Sequence, residues 1–170
     1  MSASEPIELD ADAILRALVE REVEYVVIGG LAVAAHGYIR GTKDIDIVPS
    51  PARENLARLY DAMVALDARP LEVGDFQPEE MPVAFDVDGL SHGGNWALRT
   101  RRGRVDIMQS ATGFVDYEAL RSRTLELDLA GVGRVLFAGY GDLVAMKEAA
   151  GRPQDLEDLQ RLREARGVEE

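Results

Sequence analysis

The stretch that decides the fold is YVVIGGLAVAAHGYIRGTKDIDIV, residues 25–48. Tyr25-Val-Val-Ile reads as a short buried strand, stopped by Gly29-Gly30. An alanine-rich helix from Leu31 to His36 follows, and Asp44-Ile-Asp-Ile-Val48 alternates strictly, as a half-buried strand does. Side chains on a strand alternate faces with a period of two, so Asp44 and Asp46 share one face, their Cα atoms about 6.5–7 Å apart, and Ile45 and Ile47 share the other. Two like charges side by side on a half-buried sheet are costly unless something cationic lies between them. The glycines let backbone approach a ligand closely, and the amide groups opening the next helix favour an anion. A strand–helix–strand passage of this length throws the glycine pair and the two carboxylates together.

Working outward, Asp10 caps a first helix over residues 11–22 with apolar Ala11, Ile14, Leu15 and Leu18. Downstream, Ser50 is expected to cap a helix with Pro51 at its first position, and Leu56, Leu59, Tyr60, Met63 and Val64 form its apolar stripe. Pro70, Pro78 and Pro82 break any pattern across residues 67–93, where a loop and one strand near residues 83–87 are expected. Two strands, 96–100 and 104–108, join through a tight turn at Arg101-Arg-Gly103. A second pair covers 123–129 and 133–137. Helices over 142–150 and 153–166 close the chain, with Leu156, Leu159 and Leu162 facing inward. The expected fold is one α/β (mixed α+β) domain over residues 1–170: a small twisted mixed sheet flanked by helices, with the C-terminal helices packed on it.

Arg104-Val-Asp106-Ile-Met108 repeats the alternation, so Asp106 opposes Val105 and Ile107. If this strand neighbours the first, three carboxylates meet on one patch, and oxygen ligands in that number suit a hard cation such as Mg²⁺, which shares its shell with substrate phosphates. Other chemistries lack support: the chain has no cysteine and only two histidines, and neither a P-loop nor a G-x-S-x-G is present.

The 170 residues carry 19 basic and 31 acidic side chains, a net charge of −12, with a mean hydropathy of −0.13. That balance fits a globular core and disfavours broad nucleic-acid binding through the general field. It leaves room for a local phosphate site, a cationic substrate, a metal or a basic partner. The first ten residues lack a signal-peptide pattern, and the longest apolar run, residues 26–35, is too short to span a bilayer, so no membrane association and a cytoplasmic location are expected.

The glycine pair, the spacer Arg40-Gly-Thr42-Lys and the D-x-D resemble the nucleotidyltransferase superfamily of the DNA polymerase β type. Within it they resemble the small bacterial branch of abortive-infection AbiEii-type, toxin-like enzymes. The late segment Lys147-Glu-Ala-Ala-Gly-Arg152-Pro-Gln-Asp155-Leu-Glu-Asp158 is similar to that branch too, except that Gln154 stands where a Lys is usual and Gly30 where many relatives have Ser. The resemblance implies that Asp44, Asp46 and Asp106 hold Mg²⁺ (or Mn²⁺), Asp106 acting as third ligand or as base. It implies that Gly29 and Gly30 cradle a nucleoside triphosphate, with Lys147 on the triphosphate and Arg40 and Thr42 in support. An acceptor hydroxyl then attacks the α-phosphorus and pyrophosphate leaves, with two metals clamping the attacking and leaving oxygens. A tRNA or protein acceptor and a cognate antitoxin partner follow from that branch. An aminoglycoside or lincosamide acceptor, or a non-catalytic binding member, are the alternatives. His36 is read as a packed or capping residue, Trp96 as core, and the cluster Arg99, Arg101, Arg102 and Arg104 as a solvated hairpin tip or a phosphate contact.

Overall fold

A computed structural model describes residues 7–37, 41–71, 84–109 and 116–167. In chain order the elements are α1 (Ala11–Glu20), β1 (Tyr25–Ile28), α2 (Gly29–Ala35), β2 (Asp44–Pro49), α3 (Arg53–Ala65), β3 (Arg69–Pro70) and α4 (Val87–Ser91). They continue with β4 (Asn95–Thr100), β5 (Gly103–Met108), α5 (Tyr117–Arg121), β6 (Leu125–Leu129), β7 (Gly133–Phe137), α6 (Tyr140–Ala150) and α7 (Pro153–Arg166). The described strands form one mixed seven-stranded sheet in the order β3-β4-β5-β2-β1-β7-β6. β1 runs antiparallel to β2, while β2 lies parallel to β5, with Ile45 opposite Val105 and Ile47 opposite Ile107. This is the mixed α/β architecture that the element order predicts.

The alternation of β2, β4 and β5 sorts their side chains. Ile45, Ile47, Trp96, Leu98, Val105 and Ile107 are buried together with Leu56, Leu59 and Met63 of α3. Removing each such side chain from water is worth roughly 1.5–3 kcal/mol. The opposite face of the same strands carries Asp44, Asp46, Asp106 and Arg104, so one period-two pattern builds the core and the polar face at once. At the chain start Asp10 caps α1 as expected, its Oδ1 accepting from the Ala13 amide at 3.1 Å.

Several local expectations are corrected. α2 begins at Gly29 rather than Leu31, taking the glycine pair into its first turn. The α3 cap is Ala52, not Ser50, and Pro51 precedes the helix. Ser50 is instead buried at the end of β2, where its carbonyl accepts from Asn55 Nδ2 at 3.0 Å. Of the expected strand at 83–87, Val83 lies outside the described residues, Ala84 to Asp86 form no strand, and Val87 opens α4, whose cap Asp86 accepts from the Gly89 amide at 2.7 Å. A side chain that satisfies an orphan helix amide wins over a short apolar run. Val64 and Leu156 are each 57% exposed, so the apolar stripes of α3 and α7 are one residue narrower than the spacing suggested.

Candidate active site

The parallel pairing of β2 with β5 sets Asp46 directly opposite Asp106 and Asp44 opposite Arg104. Directly paired residues share a face. Oxygens of Asp44, Asp46 and Asp106 consequently lie within 4.8 Å of one another, each carboxylate half-buried. They sit in a cavity of about 710 Å³ whose other walls include Gly29, Gly30, Thr42, Lys43, Asn95, Lys147, Arg152 and Gln154.

Crowding three carboxylates has an electrostatic cost, and it falls on the middle one. Burial, then the neighbouring charges of Asp44 and Asp106 and a side-chain hydrogen bond with Asp106, raise the Asp46 pKa from 3.8 to about 7. The Lys147 ammonium only partly offsets them. Arg104 relieves Asp106: its Nε donates to Oδ1 at 2.8 Å and its Nη2 to Oδ2 at 3.1 Å, and Nε lies 4.0 Å from Asp44 Oδ2. The hydrogen bond to Asp106 raises the Arg104 pKa above its usual value. The all-oxygen donor set, at this spacing and with an ionisation cost that a cation would remove, fits a hard divalent ion such as Mg²⁺.

Gly29 is bound to this cluster by shape. A Cβ there would lie 2.1 Å from Asp46 Oδ2, and its φ of +71° is one that side-chain-bearing residues rarely adopt. Gly29 and Asp46 can therefore occupy their positions together only because residue 29 has no side chain. The register explains the contact, since Asp46 is paired with Ile28, the residue before the glycine.

On the α6–α7 side of the cavity, Lys147 is buried, and its Nζ lies 3.2 Å from Asp155 Oδ1 and 2.8 Å from Asp158 Oδ2. Arg152 Nε donates to Asp155 Oδ2 at 2.7 Å, and Gln154 Nε2 donates to Asp158 Oδ1 at 3.0 Å. Burial works against ionising Asp155, but hydrogen bonds from Arg152 and Lys147 outweigh it and hold its carboxyl below the usual range. Gln154 thus occupies the usual Lys position as a neutral donor to a buried carboxylate.

The remaining sequence candidates divide. Thr42 lines the cavity, but its hydroxyl donates to the Asp44 carbonyl at 3.0 Å, bracing the entry to β2. Arg40 lies outside the described residues. His36 ends α2, with Nε2 2.8 Å from the Ala138 carbonyl, and Trp96 is in the core, as expected of a packed histidine and a core tryptophan. Of the hairpin arginines, Arg104 alone reaches the cavity wall. Its role beside Asp106 was missed, although the two-residue spacing on one strand carried the signal. Nothing in the spacing of Asp155 and Asp158 announces that both are buried against Lys147.

Comparison with known proteins bears on the fold and the family. The fold is similar to the antibiotic-resistance factor ANT(2″)-Ia in solution, with a TM-score of 0.57 at 17% identity, covering 90% of this chain and 80% of that one. It is similar to ANT(2″)-Ia in complex with adenylyl-2″-tobramycin (TM-score 0.54, 16% identity, 90% and 85% covered). It also resembles the lincosamide antibiotic adenylyltransferase LnuA with lincomycin bound (TM-score 0.56, 15% identity, 93% and 99% covered). No curated protein matches the chain in sequence. A family profile described as nucleotidyltransferase of unknown function (DUF6036) matches residues 7–164. That match spans nearly the whole chain, and the chain belongs to this nucleotidyltransferase family.

Proposed function

We propose that the protein is a divalent-metal-dependent nucleotidyltransferase that moves a nucleoside monophosphate from a nucleoside triphosphate to an acceptor hydroxyl. The observation that carries this reading is the meeting of Asp44, Asp46 and Asp106 within 4.8 Å beside a glycine that a Cβ could not replace. The three carboxylates would hold Mg²⁺, which when bound supplies charge neutralisation at the transferring phosphoryl group. Gly29 and Gly30 present backbone to the triphosphate, and at Gly29 a side chain would collide with Asp46. Asp106 receives the proton of the attacking hydroxyl, and Arg104 holds that carboxylate in place. The acceptor oxygen forms its bond to the α-phosphorus as the bond to the bridging oxygen breaks, and pyrophosphate departs with that electron pair. Lys147 contributes its positive field from the α6 side while anchored by Asp155 and Asp158.

A small cationic acceptor is the second reading. Structural neighbours were captured with adenylyl-2″-tobramycin and with lincomycin, and the net charge of −12 suits a cation. The test is incubation with Mg²⁺ and each α-labelled nucleoside triphosphate against mixed RNA, protein extract and an antibiotic panel. Label transfer that Asp46→Ala abolishes is expected. Tight triphosphate binding with no transfer to any acceptor would overturn the enzymatic reading.

A further inference from the structure

The sheet register puts a second charged feature beside the carboxylates. Arg104 of β5 is paired with Arg99 of β4, and Arg99 with Arg69 of β3. On its other side Arg104 is paired with Asp44. Directly paired residues share a face, so three guanidinium groups run in a row from the carboxylate cluster to the edge of the sheet. All three side chains are exposed, Arg69 by 78%. Like charges directly opposite one another on a sheet are destabilising, and the protein does little to relieve them. Arg69 lies 3.5 Å from an exposed Asp67 oxygen, and among the described residues no carboxylate pairs with Arg99. Arg104 spends Nε and Nη2 on Asp106, and its Nη1 makes no hydrogen bond among the described residues.

We propose that Arg69, Arg99 and Arg104 form a phosphate-binding track for the acceptor, and that the acceptor is the end of a single-stranded oligonucleotide. This rests on the nucleotidyltransferase reading and names the substrate class of that site. Strands lie about 4.8 Å apart, so the row spans about 10 Å, and Asp106 lies about 6.6 Å along β5 from Arg104. One phosphate cannot fill that length; phosphodiesters in succession can, with the terminal ribose hydroxyl near Asp106. Guanidinium groups suit this task because they bind phosphate oxygens in a bidentate fork. The net charge of −12 does not oppose it, because exposed charges beyond about 8 Å are screened at physiological salt and the row acts at contact. The same row would repel a cationic antibiotic from the hydroxyl-bearing side of the cavity.

The test is fluorescence anisotropy with a short 5′-labelled single-stranded oligoribonucleotide, across about 50–200 mM salt. The wild-type protein is expected to bind it, and Arg69→Ala/Arg99→Ala to weaken binding about tenfold or more, flattening the log–log salt slope by about 1.4, as two lost single-strand contacts require. Arg134→Ala, an exposed arginine paired with Glu126 in the other half of the sheet, removes a charge off the row and is expected to change neither. Unchanged affinity and slope in the double variant would overturn the proposal. So would tighter binding of poly-glutamate than of the oligonucleotide, or self-association of the double variant with intact binding, which would assign the row to protecting a sheet edge. Failure of the wider reading looks different: arginine-dependent binding with no nucleotidyl transfer in the wild-type protein would leave the track standing as a strand-binding site and remove the enzyme.

Discussion

The two charge clusters facing the cavity are built on opposite principles. On β2 and β5, three carboxylates are pressed together with one arginine, and the middle one is pushed to a pKa of about 7. On α6 and α7, Lys147 and Arg152 neutralise Asp155 and Asp158 through short contacts, with Gln154 completing the set. The first cluster is left in deficit of positive charge, which a cation could supply; the second is complete in itself. A buried charge network that satisfies itself holds two helices in register, whereas one that does not satisfy itself is a place where binding can be strong. The contrast separates residues that would do the chemistry from residues that hold the wall, even though both sets line one cavity.

The sharpest way to break this contrast is Asp46→Asn. Nucleotidyl transfer is expected to fall by about a thousandfold, the scale of losing one electrostatic stabiliser of a transition state. The metal-free protein should nevertheless become more stable at pH 8. Asp46 has a folded pKa above its unfolded value, so the wild type loses stability as pH rises from about 4 to about 7, and the amide removes that loss. Thermal melts at pH 5 and pH 8 check it, at roughly 2–4 °C per kcal/mol relieved. An Asp46→Asn protein that melts lower than wild type at pH 8 would mean that the cluster is already satisfied without a cation.

Gly29→Ala is expected to cost transfer about a hundredfold, because displacing a catalytic group by about 1 Å is enough for that. It should also lower Tm, since the new Cβ meets Asp46 Oδ2 and the φ of +71° is retained only under strain. Kinetics and melting of this variant check both.

Lys147→Met tests the opposite cluster. Removing one partner of a buried ion pair costs about 3–5 kcal/mol, a Tm fall of roughly 10 °C. Adding Asp158→Leu should restore part of that stability, because it removes the carboxylate whose charge Lys147 had balanced, while Asp155 keeps Arg152. If Lys147→Met melts like wild type but loses triphosphate affinity, the lysine serves the ligand rather than the wall. The smallest effect is expected from Gln154→Lys. A cation at that position lies on the cavity wall, so the KM for the triphosphate should fall a few-fold with kcat unchanged, as steady-state kinetics would show.

Much of this site was legible in the chain because it rests on local periodicity. D-x-D shows two carboxylates on one face whatever the sheet does, and Arg104-x-Asp106 obeys the same rule, though its pairing went unread. Asp10 as the α1 cap and the tight turn at residues 101–102 were legible for the same reason. The errors came where two local signals competed, as when the Asp86 cap took Val87 into a helix, or where exposure depends on a neighbouring element, as for Val64 and Leu156. The burial of Lys147 between two aspartates was not legible, because it needs α6 and α7 to fold against each other.

From its own letters the sequence determined which residues share a strand face, since side-chain alternation acts within a few residues, whereas the need for glycine at 29 comes from the approach of Asp46 on the neighbouring strand. Only the tertiary structure decided that β5 lies parallel beside β2, which sets Asp106 against Asp46, and that Arg69, Arg99 and Arg104 fall in one row. Strand order and register are chosen by how the whole set of apolar faces packs, and no local stretch carries that information.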